Sequence, residues 1–224
     1  MYVSIFGDSI STYRGYNPSD YLVFYNDENC MRNSLIDVKD TWWGQVIERF
    51  KFDLLINASY SGSRVSGISF PAANTYERIN ALHNDNYPDI ILVYFGYNDF
   101  GFCVPIESDD TTGPNPECFY DAYKIMLGRL KEKYPNALII CGTLMLNYIF
   151  YRFNLSDKLR VNRSETPIEE YNKAIRRACI DSEVVIADLY STGIKCDTLD
   201  GSHGTKRGHK EMANAWIEVL PEIL

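Results

Sequence analysis

The 224-residue sequence lacks the features that mark several classes of protein. No apolar run approaches the ~18–20 residues that a membrane-spanning helix needs. Basic residues are outnumbered, with 22 Lys+Arg against 30 Asp+Glu and a formal net charge of −8. This balance disfavours binding to nucleic acid or to anionic membrane surfaces. No repeat, low-complexity tract or linker interrupts the chain, so we expect one domain over residues 1–224.

Signals for export and for metal binding are missing as well. The N-terminal segment MYVSIF has no basic region and no cleavage site of a signal peptide, which favours a cytoplasmic location if no leader has been removed. The six cysteines form no CxxC pair, and the chain has three histidines. We expect thiols, with a Cys103–Cys118 pair as the alternative because these two bracket a loop. Neither a metal nor another cofactor is predicted.

Five short apolar runs predict the strands of a parallel sheet. They are continuous rather than alternating in polarity, as in strands that helices cover on both faces. The runs span residues 2–7, 53–57, 89–95, 137–142 and 183–189. Helical periodicity lies between and after them, over about 41–50, 76–83, 118–133, 167–180 and 204–219. Thr166, Pro167 and Glu169 are typical of a cap, a first-turn proline and a capping box. The alternation predicts a three-layer α/β/α domain.

Three connections are too long to be plain turns, at about residues 10–40, 97–117 and 143–165. Each follows a predicted strand and therefore leaves the carboxyl edge of the sheet, where open parallel sheets bind ligands. Loops of this length in a compact domain are usually functional or disordered. Their content of Tyr, Phe and Asn favours function, so we predict a pocket at this edge.

Polar residues with catalytic potential follow the first three strands. Ser9 comes directly after the first strand, Gly62 lies in a small-residue loop after the second, and Asn98 follows Gly96 after the third. Each has an ordinary structural alternative. Ser9 could cap a turn, the small-residue loop could be a plain turn, and Asn98 could form an Asx-turn.

A carboxylate and an imidazole stand together near the C-terminus. Asp200 precedes His203 by three residues on a loop that enters the last predicted helix. A carboxylate in this position can fix the tautomer of the histidine and stabilise its protonated form. The alternative is a surface histidine with an aspartate nearby. His209, inside the following helix, is interpreted as a locally bonded helix residue.

Together these segments resemble those of the SGNH hydrolases, also called the GDSL esterase/lipase family. The matching residues are Gly7-Asp8-Ser9, Gly62, Gly96-x-Asn98-Asp99 and Asp200-x-x-His203. The resemblance implies a flavodoxin-like sheet of five parallel strands, and it departs from the family pattern at two positions. Ile10 replaces the commonest Leu, and Gly204 stands where many members have Pro, which is expected to loosen the entrance to the last helix.

The same resemblance implies roles for the matching residues. Ser9 is expected to be the nucleophile, His203 the general base and then the acid, and Asp200 the carboxylate that orients the histidine. The oxyanion hole is expected to consist of the backbone N–H groups of Ser9 and Gly62 and the side-chain amide of Asn98.

Aromatic side chains are frequent in the long connections and indicate the class of substrate. Flat faces with polar tips suit sugar rings as well as short acyl chains. Tyr60, Arg64 and Tyr97 are the candidate substrate-binding residues. The other aromatic residues of this group are Tyr13, Tyr16, Tyr21, Phe24, Tyr25, Trp42, Trp43, Phe100, Phe102, Tyr148, Phe150 and Tyr151.

We therefore predict a serine esterase that hydrolyses short-chain esters, with acetyl favoured, of carbohydrates or other small alcohols. Its partner is then a small-molecule ester, for example an acylated sugar, and the oligomeric state is left open. An acyltransferase or a short-chain lipid esterase could use the same residues. A non-catalytic carbohydrate-binding module is a further alternative. A metal-dependent phosphoesterase is disfavoured because its two metals need several His and carboxylate ligands, whereas the chain has three histidines and no Asp-x-His at the first strand.

Overall fold

A five-stranded parallel sheet forms the centre of the protein. The computed structural model describes residues 1–108, 113–149 and 161–224. The strand order is β2-β1-β3-β4-β6, and a second sheet pairs β5 with β7 in parallel. The strands are β1 Tyr2–Gly7, β2 Asp53–Asn57, β3 Ile90–Tyr94, β4 Leu138–Gly142, β5 Leu146–Ile149, β6 Val185–Ala187 and β7 Lys195–Thr198.

Helices cover both faces of the central sheet. They are α1 Asp27–Arg32, α2 Trp42–Phe50, α3 Tyr76–Asn80, α4 Tyr97–Gly101, α5 Phe119–Lys133, α6 Ile168–Asp181 and α7 Lys206–Val219. The side chains of α2 and α7 belong to one core cluster, and those of α3, α5 and α6 belong to the other. In β3, Ile91 and Val93 join the second cluster while Leu92 and Tyr94 join the first, because successive strand residues point to opposite faces. The predicted three-layer architecture is confirmed.

Most predicted elements are present, with differences at their ends. The helix predicted over 76–83 ends at Asn80, and the strand predicted over 183–189 is reduced to three residues. The helix predicted over 167–180 begins at Ile168 with Pro167 as its N-cap and no side-chain cap. The predicted capping box is therefore wrong, because the Glu169 carboxylate bonds instead to Arg176 at 2.8 Å. The pair β5 and β7 and the short helices α1 and α4 were not predicted.

Two further observations concern the predicted class of protein. Within the described ranges, no helix has the length and the apolar character that crossing a membrane requires. Cys103 and Cys118, which both lie in those ranges, are not joined by a disulfide bond.

The strand order explains where polar side chains collect. Because β1 lies between β2 and β3, the segments that follow these three strands meet at one edge of the sheet. The turn after β1 packs tightly there, since a Cβ at Gly7 would lie 2.6 Å from the Ser11 hydroxyl oxygen. Only glycine fits this close approach without a shift of its neighbours. The loop after β7, which carries Asp200 and His203, reaches the same edge.

Candidate active site

Ser9, His203 and Asp200 form a hydrogen-bonded chain at this edge. The Ser9 Oγ lies 2.9 Å from His203 Nε2, and His203 Nδ1 lies 2.7 Å from Asp200 Oδ2. The other carboxylate oxygen accepts the backbone N–H groups of Ser202 and His203 at 2.9 and 2.8 Å. Burial alone would raise the Asp200 pKa, but these bonds and the His203 charge outweigh it and lower the pKa to about 2. Asp200 is therefore an anion at neutral pH.

The turn after β1 presents Ser9 to the imidazole. Ser9–Ser11 form a single 3-10 turn, and Asp8 caps it by accepting the Ile10 N–H at 3.0 Å. Asp8 thus takes the capping role that was the structural alternative for Ser9. The Thr12 hydroxyl donates to the Ser9 carbonyl at 2.8 Å and fixes the end of the turn. The Ser9 side chain remains available to His203.

The segments that carry Gly62 and Asn98 are bonded to each other. Asn98 Nδ2 donates to the Ser63 carbonyl at 2.9 Å, and Ser63 directly follows Gly62. The neighbouring carboxylate of Asp99 accepts the Val65 and Ser66 N–H groups at 2.9 and 3.0 Å. The end of β3 therefore holds the loop that follows β2. Asn98 bonds across to that loop, so the structure does not support the Asx-turn alternative.

Asp8 is a buried carboxyl group beside the Ser9 turn. Its side chain is 1% exposed, and its Oδ2 lies 3.3 Å from Asn98 Nδ2. Burial raises the Asp8 pKa to about 7, against the lowering effects of the Ile10 N–H and the His203 charge. Sequence reasoning assigned Asp8 to the motif without a separate role. The burial of Asp8 could not be predicted from the sequence, because it depends on the strands that pack around this residue.

The three predicted substrate-binding residues differ in their exposure to the site. The Tyr97 hydroxyl is directed inward, where it bonds to the Met145 carbonyl and to Asn147 Oδ1. It therefore cannot serve as a polar tip for a substrate, although the Tyr97 residue lines a cavity of about 140 Å³ that also borders Asp200. Tyr60 packs edge-on against Tyr21.

Arg64 lines a larger cavity than Tyr97 does. Its guanidinium lies over the Phe102 ring, 5.7 Å from the centroid. Both residues line a cavity of about 490 Å³ that begins at Gly62 and includes Phe70 and Glu117. Two of the aromatic candidates, Phe150 and Tyr151, lie outside the described residues.

Aromatic contacts hold the loop that carries His203. Phe24 stacks on the imidazole, a contact that sequence reasoning did not predict beyond placing this residue in an aromatic-rich connection. The Tyr25 hydroxyl donates to the Gly204 carbonyl at 2.9 Å. The entrance to α7 is thus bonded to the first connection through a backbone carbonyl. The expectation that Gly204 loosens this entrance stays a prediction.

His209 is held by a distant residue. Its Nδ1 accepts the Trp42 N–H at 3.1 Å, so the interpretation as a locally bonded residue is wrong. Burial lowers its pKa to about 3, and His209 is neutral at physiological pH. Among residues 1–108, 113–149 and 161–224, no group of three or more His, Cys, Asp or Glu side chains could hold a metal ion.

Solved structures of similar fold come from several bacteria. A protein described as a GDSL-like lipase from Bacteroides uniformis has 27% sequence identity and a TM-score of 0.73, over 98% of this chain and 95% of that one. A second, from Bacteroides ovatus, has 23% identity and a TM-score of 0.73, over 100% and 98%. A family two carbohydrate esterase from Clostridium thermocellum has 16% identity and a TM-score of 0.56, over 99% and 64%. The last two show a likeness of fold alone.

Sequence comparison identifies the family. A search of curated proteins gives no match. The model of the GDSL-like lipase/acylhydrolase family matches residues 1–192, which include Ser9, Gly62 and Asn98 and end before Asp200. The chain therefore belongs to the GDSL-like lipase/acylhydrolase family, and this membership supports a hydrolase that acts on esters.

Proposed function

We propose that this protein is a serine esterase that hydrolyses short-chain esters, acetyl esters foremost, of carbohydrates or other small alcohols. The observation that carries the proposal is the hydrogen-bonded chain from Ser9 through His203 to Asp200. A serine hydroxyl is a poor nucleophile until a base takes its proton, and an imidazole held by a carboxylate is such a base.

The proposed reaction has two steps. Ser9 Oγ attacks the ester carbonyl while its proton passes to His203 Nε2, and the ionised Asp200 stabilises the imidazolium. His203 then gives this proton to the departing alcohol, which leaves an acyl group on Ser9. In the second step His203 takes a proton from water, the hydroxide attacks the acyl-enzyme, and the acid is released as Ser9 regains its proton.

The negative oxygen of each tetrahedral intermediate needs donors. We assign these to the backbone N–H groups of Ser9 and Gly62 and to Asn98 Nδ2. The Asn98 amide has one short bond, to Ser63, and a longer contact of 3.3 Å to Asp8. We assign the hydrogen in the longer contact to the oxyanion. Each such donor typically contributes about 3–4 kcal/mol to the transition state.

The cavities suit a small substrate. The cavity of about 490 Å³ next to Gly62 combines aromatic rings with charged groups, as in Phe102, Arg64 and Glu117. Aromatic faces beside polar groups are suited to a sugar or another polyol. The cavity of about 140 Å³ beside Asp200 is smaller and is compatible with a short acyl chain. The similarity in fold to a carbohydrate esterase is compatible with a sugar ester as the substrate.

Hydrolysis of p-nitrophenyl esters from acetate to octanoate tests the proposal. We expect the highest kcat/KM with acetate, loss of at least about 10³-fold in Ser9→Ala, and unchanged activity in EDTA. Ser191→Ala is the matched control, because that hydroxyl bonds to the Asp188 carbonyl in the segment after β6. Full activity in Ser9→Ala would overturn the proposal.

The same panel separates the alternatives. A preference for octanoate would indicate a lipid esterase. Faster release of p-nitrophenol when an alcohol is added, with a new ester as product, would indicate an acyltransferase. Loss of activity in EDTA would indicate a metal-dependent enzyme, and no activity on any ester would favour a binding module.

A further inference from the structure

Arg78 is a buried cation that has no assigned role in the reaction described above. Its side chain lies in α3 and is 0% exposed. In the part of the chain that the structure describes, it forms no ion pair with a carboxylate. Burying a cation without an ionic partner is strongly unfavourable unless other groups replace its hydration. One of the groups that do so here, Ser63, also bonds to Asn98 of the candidate active site.

The guanidinium joins the end of β1 to the loop that follows β2. Its Nη2 donates to the Ala58 carbonyl at 2.8 Å and, more weakly, to the Gly7 carbonyl at 3.4 Å. Its Nη1 donates to the Ser63 hydroxyl at 2.8 Å and to the Pro71 carbonyl at 2.9 Å. One side chain thereby fixes the backbone two residues before Ser9 and both ends of the loop that carries Gly62.

Ser63 extends this contact to Asn98. The Ser63 hydroxyl accepts from Arg78, and the Ser63 carbonyl accepts from Asn98 Nδ2 at 2.9 Å. Ser63 also directly follows Gly62 in the chain. Ser63 therefore connects the guanidinium to two of the three donors that we assign to the oxyanion, the Gly62 N–H and the Asn98 amide.

Arg78 keeps its charge in this setting. Four aromatic rings lie around its Cζ, at 5.3 Å for Phe6 and Tyr21, 5.6 Å for Tyr60 and 5.9 Å for Phe95. Their faces partly replace the water that a cation loses on burial. Burial lowers the pKa of Arg78 to about 10, so the group remains protonated at neutral pH.

The positive charge of Arg78 would be favourable if an anion formed nearby during the reaction. The guanidinium offers more N–H donors than a neutral amide, but it brings the desolvation penalty of a cation with it. A fixed positive charge in a water-poor site stabilises negative charge that develops during a reaction, and it needs no reorganisation at that moment. The oxyanion of ester hydrolysis would form at the neighbouring donors.

We propose that Arg78 is a positioning residue of the ester-hydrolysing site, which holds the donors of Gly62 and Asn98 in place and supplies a positive field to the oxyanion. This inference rests on the proposed function. It predicts that Arg78 acts on the transition state and has little influence on the binding of the ester itself.

Kinetics and inhibitor binding test this inference in Arg78→Met, Arg78→Lys and the control Arg176→Met. Arg176 also forms charged hydrogen bonds, to Glu169 and Asp188, but these lie on α6 and after β6. p-Nitrophenyl acetate gives kcat and KM, and a fluorophosphonate that labels Ser9 counts active sites. Phenylboronic acid forms a tetrahedral anion on the serine oxygen and so reports on the oxyanion site.

We expect parallel losses of kcat and of boronate affinity. Arg78→Met should lower both by about 10²-fold with KM changed by less than about threefold. Arg78→Lys keeps the charge but has no planar fork, so it should recover part of both losses. Arg176→Met should keep kcat and boronate affinity even if its melting temperature falls.

The outcomes separate this inference from the function on which it rests. Wild-type kcat and boronate affinity in folded Arg78→Met would overturn the role of Arg78 alone. If Arg78→Met does not fold, Arg78→Lys decides, because wild-type values in that variant would overturn the geometric part of the inference. Full activity in Ser9→Ala would instead overturn the esterase proposal and the inference with it.

Discussion

The Phe24 ring lies flat on the His203 imidazole, with ring centroids 3.4 Å apart and planes inclined by 6°. The backbone N–H of Phe24 donates to the Thr12 hydroxyl at 3.0 Å, and that hydroxyl donates to the Ser9 carbonyl at 2.8 Å. The Thr12 hydroxyl therefore links the turn that carries Ser9 to Phe24, whose ring stacks on His203.

Replacing Phe24 should therefore slow the reaction. In Phe24→Ala the imidazole loses the flat surface that orients it, and its protonated form loses a favourable contact with an aromatic face. We expect kcat to fall about tenfold in steady-state hydrolysis of p-nitrophenyl acetate, with Phe24→Tyr close to wild type. Phe50→Ala is the control, since Phe50 stacks on Phe52 away from the site. Equal kcat in Phe24→Ala and wild type would contradict this prediction.

Removal of the Asn98 amide should affect the rate more than the fold. Asn98→Ala removes a proposed oxyanion donor, and we expect kcat to fall about 10²–10³-fold while KM changes little. Far-ultraviolet circular dichroism and the melting temperature should show a folded protein. Asn136→Ala, an exposed site between α5 and β4, is the control. Undiminished activity in Asn98→Ala would remove this residue from the oxyanion site.

The Asp200 carboxylate should be needed for the histidine to act as a base. Asp200→Asn keeps the shape but removes the charge that selects the tautomer of His203, so kcat should fall by up to about 10⁴-fold. The measurement is kcat for p-nitrophenyl acetate at pH 8, with the exposed Asp53→Asn as control. A loss below about tenfold would mean that Ser9 and His203 suffice without the carboxylate.

The buried Asp8 should make stability depend on pH in a specific direction. Its pKa is raised from 3.8 to about 7 by burial, so the native protein holds this proton more tightly than the unfolded chain does. Ionisation then opposes folding, and the free energy of unfolding falls as the pH rises from about 4 to about 7. Asp8→Asn should raise the melting temperature at pH 8 and change it little at pH 4.

Thermal unfolding between pH 4 and pH 9 checks this expectation. Asp53→Asn, with a carboxyl at the exposed start of β2, should show no comparable gain at pH 8. A difference between Asp8→Asn and wild type that is the same at every pH would speak against a raised pKa in the native state.

The parts of the fold that sequence reasoning predicted are those encoded by local patterns. The continuous apolar runs of β1 to β4 are typical of strands that are covered on both faces, and the apolar stripe of α5 follows the helical period of about 3.6 residues. The sheet of β5 and β7 was missed because its two strands are short and gain their stability from pairing across about fifty residues of chain. The prediction of a capping box in α6 was wrong because the Glu169 carboxylate forms an ion pair with Arg176.

Residue types and their order along the chain indicated Ser9, Gly62, Asn98, Asp200 and His203 before any coordinates. The tertiary structure alone decided which atoms meet, since Ser9 and His203 are 194 positions apart and come together at the edge of the sheet where β1 ends between β2 and β3. It also turned the Tyr97 hydroxyl inward and surrounded Arg78 with the carbonyl groups of Gly7, Ala58 and Pro71. Local sequence encodes period, turns and caps, whereas the distance and burial of side chains depend on strand order and on what packs above them.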